Sequence, residues 1–179
     1  MIVFIDFEAS SLAKDSYPVE VAWVFEDGRS QTRLIKPISS WNDWSEEAER
    51  VHGISREMLA AAGVPVDVVA NEMLRDLSGH DLYASSPSWD GKWLSVLLRG
   101  AGLPRHALRL GKSDDLFAAA VRSALVDVSE DDAKAIVHRL IETTEPKSPA
   151  HRALPDALLE LERWTLARQM TRTLGGGGA

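Results

Sequence analysis

The chain has 179 residues, 45% hydrophobic and 26% charged, the balance of a soluble globular domain with a sizeable core. It contains no cysteine, which excludes disulfides, thiol nucleophiles and thiolate-held zinc or iron–sulfur centres, and which fits the cytoplasm. No apolar run approaches the ~20 residues of a membrane helix, so no membrane partner is expected, and the net charge of −7 argues against broad electrostatic capture of nucleic acid.

Ile2-Val3-Phe4-Ile5 is apolar on both alternating faces and predicts a strand buried on both sides of a sheet. Asp6 and Glu8 follow at once, and strand residues two apart share a face. Two adjacent carboxylates at the end of a buried strand repel each other and call for a cation. "PVEVAWVFEDGRSQTRLIKP" then reads as a hairpin, with strands at 19–25 and 32–35 around the turn Glu26-Asp27-Gly28-Arg29. Three early strands ahead of helical patterns predict a mixed sheet.

"SWNDWSEEAERVHGIS" is a polar connection with a short helix, and the next helix opens at Ser55 as N-cap and stops at Gly63. Apolar spacing predicts a helix over 66–77, "DLYAS" a short strand and "WDGKWLSVLLRGAG" a helix. Another strand is expected at 107–111, then two or three helices over 114–143 and a Pro- and Ser-containing loop over 143–150. A last amphipathic helix starts near Pro155, a residue favoured in a first helical turn. Positions 1–173 read as one domain and the Gly-rich 174–179 as a flexible tail. Between 91 and 113 the chain carries Lys92, Arg99, Arg105, Arg109 and Lys112 with no acidic residue, which reads either as a guide for a polyanion or as a solvated face.

Four pieces carry candidate chemistry: Asp6-Phe7-Glu8, "VHGIS" at 51–55, Asp90 at a helix start, and "HRALPDALLEL" with His151 and Asp156. On one helix, His151 and Asp156 would stand about 140° apart, which is no compact site. With the helix starting near Pro155, Asp156 is fixed in its first turn and His151 lies on the loop before it, so the two can converge. An oxygen-rich set of four carboxylates suits hard cations such as Mg²⁺ or Mn²⁺, and its charge suits two of them.

"FIDFEAS", "HGIS", "WDGKWL" and "HRALPDA" resemble the successive motifs of the DEDDh 3′→5′ exonucleases, the group that includes proofreading exonucleases, RNase T and oligoribonuclease. The resemblance spans residue 2 to about residue 160. It implies an α/β, RNase H-like fold with a central mixed β-sheet flanked by helices. It further implies a two-metal 3′→5′ exonuclease that releases nucleoside 5′-monophosphates from single-stranded DNA or RNA 3′ ends or from short oligonucleotides. Asp6, Glu8, Asp90 and Asp156 would hold the two Mg²⁺ or Mn²⁺ ions, with Asp6 between them, and His151 would be the general base. Phe7, Ala9, Ser10, Leu12, His52, Gly53, Ile54 and Ser86 would contact substrate, with Leu12 against the terminal base.

Ala9-Ser10-Ser11 replaces a common Thr-Thr-Gly-like run, Ser85-Ser86 replaces His-Asn, and Pro155 is unusual within its motif. These departures leave strand positioning, and hence DNA against RNA, open. Trp41 and Trp44 read equally as base-stacking rings or as pins for their connection. Some members of the family are dimers, so a homodimer stays open, although no interface stripe stands out. The competing readings are a catalytically silent module that binds nucleic acid or a polymerase, and a phosphoesterase acting on small esters.

Overall fold

The computed structural model describes residues 1–125 and 128–175; the expected Gly-rich tail lies outside them from 176 onward. Six strands form one sheet: β1 (Ile2–Ala9), β2 (Pro18–Phe25), β3 (Ser30–Lys36), β4 (Val64–Pro65), β5 (Asp81–Ala84) and β6 (Gly111–Lys112). Their order is β4-β3-β2-β1-β5-β6. β1 pairs antiparallel with β2 and parallel with β5, so the sheet is mixed, as three early strands predicted. Seven helices are assigned among the described residues: α1 (Glu46–His52), α2 (Arg56–Ala62), α3 (Val66–Leu77), α4 (Pro87–Gly100), α5 (Ser113–Ala124), α6 (Glu130–Thr144) and α7 (Ala153–Gly175). None of them is long and apolar enough to cross a membrane.

The period of two along β1 sorts its side chains onto two helical layers. Val3, Ile5, Phe7 and Ala9 enter a core with Val21 and Trp23 of β2, Val69 and Met73 of α3, and Leu94 and Leu97 of α4. Phe4 faces the other way, into a core of α5, α6 and α7, where its ring lies 6.1 Å from Phe117, which in turn stacks on Trp164 at 6.2 Å. Ala22 and Val24 of β2 pack on Ala153 and Ala157 of α7. Small residues on both sides let the helix approach the sheet closely, which brings the first turn of α7 over the ends of β1 and β2.

Local chemistry sets the short helices between β3 and β4. Ser45 accepts from Ala48 N–H to open α1, Gly53 closes it at a left-handed φ of 70°, and Ser55 accepts from Met58 N–H to open α2. Trp41 stacks on Tyr17 at 5.2 Å and Trp44 donates to Glu49 at 2.8 Å, so both rings pin this connection.

Two details differ from the sequence reading and one choice left open is resolved. The strand expected at 107–111 shrinks to Gly111–Lys112, because only these residues pair with Tyr83 and Ala84, while Leu108 and Leu110 turn into the core. Two helices, within the expected two or three, are assigned among the described residues of 113–144. Helix α7 opens at Ala153, two residues early, and runs through Gly175.

Gly63 ends α2 where the chain passes against β3. A Cβ there would press on the Leu59 carbonyl and lie 2.8 Å from Lys36 N, both backbone atoms that cannot rotate away. Gly63→Ala is expected to destabilise by about 1–3 kcal/mol. At about 2–4 °C per kcal/mol, thermal unfolding resolves that loss. Gly91→Ala, in α4 with open space around it, should match or exceed the parent's stability. Equal melting temperatures for the two variants would refute the close approach.

Candidate metal centre and adjoining pocket

Asp6 and Glu8 continue the Phe4 face of β1 and therefore point toward α7, where Asp156 stands in the first turn. One carboxylate oxygen from each of Asp6, Glu8 and Asp156 lies within 4.8 Å of the others. Asp90 reaches the same place from α4; it is 3% exposed and its Oδ1 accepts from Phe7 N–H at 3.2 Å. His151 precedes α7 by two residues, at a φ of 46°. The four carboxylates thus come from three elements, and the imidazole from the turn that leads into one of them.

Crowding shows in the protonation equilibria. Burial, then the charges of Asp90, Glu8 and Asp156, push the Asp6 carboxyl well above its ordinary range. Burial together with Asp156 and Glu20 pushes Glu8 up to about 8, against the pull of the Arg152 guanidinium. Asp90 rises to about 7 because burial outweighs the amides of Phe7 and Ser86. Asp156 is also raised by burial, with the His151 charge opposing. Four oxygen donors whose carboxyls are all pushed toward the protonated form by burial and neighbouring charge have the chemistry of a site for hard divalent cations.

A second layer of charge was not singled out in the sequence. Glu20, paired with Glu8 across β1 and β2, is 3% exposed and takes both Nη2 (2.6 Å) and Nε (2.9 Å) of Arg152. Glu160, one turn beyond Asp156, accepts from Ser113 Oγ and from Arg163 Nη1 at 2.9 Å. Arg163 also reaches Glu145 at 2.6 Å. The available signals were a lone acid inside the apolar β2 run and an i,i+4 carboxylate pair on α7.

Beside Glu8 opens a cavity of about 350 Å³, lined by Glu8, Ala9, Ser11, Leu12, Ser45, Glu47, Ala48, Val51, His52 and Trp93. Of the expected substrate residues, Ala9, Leu12 and His52 line it. Leu12 is 72% exposed, an apolar side chain held at the mouth. Ser10 lies behind the wall, where it and Ser11 donate to Asp43 Oδ2 at 2.8 and 2.6 Å. Phe7 turns its ring into the core and brings only its backbone to the site. Gly53 caps α1, Ile54 is buried under Tyr17 and Val19, and Ser86 is the N-cap of α4. His52 Nδ1 accepts from Ile54 N–H at 3.0 Å, which assigns its proton to Nε2, and burial lowers its pKa so that the ring is neutral.

Within the basic stretch, Lys92 donates to Ala13 O at 2.6 Å and Ser16 Oγ at 2.8 Å, and Lys112 pairs with Asp114 at 2.9 Å. These two cations hold structure together.

No protein-family model and no curated protein sequence matches the chain. Solved structures do. The zinc-bound Escherichia coli exonuclease I complex with single-stranded DNA superposes with a TM-score of 0.70 and 16% identity, over 97% of this chain and 41% of that one. The same enzyme with a dT13 oligonucleotide gives 0.69, at 16% identity over 97% and 42%. Exonuclease I of Methylocaldum szegediense gives 0.66, at 17% identity over 94% and 41%. This chain therefore spans about two-fifths of the length of these neighbours. The likeness carries the fold: the mixed α/β, RNase H-like architecture is shared with exonuclease I.

The raised carboxylates fix a pH dependence. Folded values of about 8 for Glu8 and about 7 for Asp90 exceed the ordinary 4.5 and 3.8, so between those limits the folded chain binds more protons than the unfolded chain. Stability from these groups is complete below the unfolded values and is lost as pH rises through the folded ones. Melting of the EDTA-treated protein should fall steadily from about pH 5 to about pH 8, and Mg²⁺ or Mn²⁺ should restore it most at the alkaline end. A melting temperature flat across that window, with or without metal, would contradict the clustering.

Proposed function

We propose that the protein is a metal-dependent 3′→5′ exonuclease that shortens single-stranded DNA or RNA, or short oligonucleotides, and releases nucleoside 5′-monophosphates in the cytoplasm. The observation that carries this reading is the convergence of Asp6, Glu8, Asp90 and Asp156 from β1, α4 and α7, with His151 at their edge and a cavity adjoining Glu8. The shared fold with exonuclease I, whose structures include complexes with single-stranded DNA, supports it.

Asp6, Glu8, Asp90 and Asp156 are the residues that would hold two Mg²⁺ or Mn²⁺ ions. Such ions, when bound, neutralise and polarise a phosphodiester and lower the pKa of water. His151 accepts the proton of the attacking water; an imidazole titrates close to working pH, and its seat outside the helix leaves it room to approach. Water adds to phosphorus in line with the departing 3′-oxygen, which takes up a proton as the bond breaks.

The pocket residues orient the terminal nucleotide. Ala9, Leu12, Ala48 and Val51 offer an apolar wall to a base or sugar, and neutral His52 adds no charge. With Glu8 and Glu47 as its charged lining residues, the cavity disfavours a phosphate and suits an uncharged ring. A loose electrostatic hold accords with the net charge of −7.

The test uses 5′-labelled single-stranded DNA and RNA of one sequence, from dimers to long strands, with Mg²⁺, Mn²⁺ or EDTA. A ladder shortening from the 3′ end is expected with either metal and not with EDTA. Asp6→Ala should reduce it to background, and His151→Ala should slow it by about 10²–10⁴-fold. No shortening of any substrate would turn the site into a silent one and the protein into a binding module.

A further inference from the structure

We infer that Glu20 and Arg152 are positioning residues that hold the His151 turn against the carboxylate cluster; the inference rests on the reading of His151 as the proton acceptor. Glu20 stands directly opposite Glu8 in the β1–β2 register, and like charges in that relation are destabilising. Its location invites the reading of a fifth metal ligand, but both of its oxygens are engaged. Oε1 accepts from Arg152 Nη2 at 2.6 Å; Oε2 accepts from Arg152 Nε at 2.9 Å and from Ala153 N–H at 3.0 Å. A planar fork and a helix-end amide thus grip one buried carboxylate.

The gripped residues adjoin His151. Among the described residues His151 is the one non-glycine residue with positive φ, 46°, a backbone state that L-residues resist. The segment before it carries Pro146 and Pro149 and is largely exposed, so little on that side fixes the turn. Restraint comes from the other side, where Arg152 is anchored to a strand 132 residues away in sequence. The Asp156 amide donates to Arg152 O at 3.2 Å, which closes the first turn of α7 on the same residue. The anchor therefore sets the turn bearing His151, while the turn bearing Asp156 keeps its own helical bond and its packing of Ala153 and Ala157 on Ala22 and Val24.

A bare helix cap would require less. Glu20→Gln keeps an oxygen for Ala153 N–H and loses the charged fork, so a capping role predicts an unchanged His151. The test is made on the full ¹⁵N-labelled chain for the parent, Glu20→Gln, Arg152→Lys and Arg152→Ala, each checked by thermal melting. The His151 amide order parameter should drop from about 0.85 to below about 0.6 in Glu20→Gln and Arg152→Ala, with Arg152→Lys between. Mn²⁺ affinity by calorimetry should stay within about twofold, while kcat on a short oligonucleotide falls by about 10- to 100-fold at nearly constant KM.

An ordered His151 amide in folded Glu20→Gln overturns the inference whatever the activity. Loss of Mn²⁺ binding in that variant overturns it too, by making Glu20 part of the metal site. A fully active His151→Ala overturns the proton-acceptor reading and the positioning role that serves it. An inactive His151→Ala beside a fully active Glu20→Gln overturns the inference alone.

Discussion

The mutual repulsion of Asp6, Glu8, Asp90 and Asp156 is the constraint around which this end of the sheet is built. A strand end, a helix N-terminus and a second helix N-terminus deliver the carboxylates from different directions, so none can retreat without moving an element. Helix N-termini carry partial positive charge, which tempers what Asp90 and Asp156 contribute. The Phe7 amide does the same for Asp90 from the strand side. Close seating of α7 then depends on Ala22, Ala153 and Ala157, where any larger side chain would lift Asp156 away.

Around the cluster runs an outer ring of compensated charge. Arg152 ties the start of α7 to β2 through Glu20, and Arg163, three turns on, ties the same helix to Glu145 just past α6. Asp156 lies between these two ties. Ion pairs of this kind, each with one buried and one exposed partner, contribute little net stability compared with apolar packing, and their value here is register. Glu160 belongs to this ring through Arg163 and Ser113, although its charge still reaches Asp6 and Asp90.

What the sequence disclosed was whatever is encoded locally. Asp6 and Glu8 were legible because strand alternation is a two-residue rule, and the same rule turns the Phe7 ring to the core. Ser55 and Gly63 bounded α2 because caps are written in adjacent residues. The start of α7 was placed two residues late because the acceptor for its Ala153 amide is Glu20, far back in the chain. The strand at 107–111 was overread because Leu108 and Leu110 look β-like while serving as core contacts for a loop. Trp41 reads either way in the sequence because the ring it stacks on, Tyr17, lies far upstream. Distant partners decide each of the cases that local pattern missed.

Helix α4 has a mechanical consequence. It carries Asp90 in its first turn and, within the next turn, Lys92 and Trp93, which donate to Ala13 O and Ser16 Oγ and so tether the loop that follows β1. That loop bears Ser11 and Leu12 of the cavity wall, and Trp93 lines the cavity itself. A helical turn is stiff, so the carboxylate and the wall travel as one lever whose fulcrum is the core packing of Leu94 and Leu97. Wall and carboxylate therefore share one support, so on the function proposed above the fit of a ring in the cavity bears directly on where Asp90 stands.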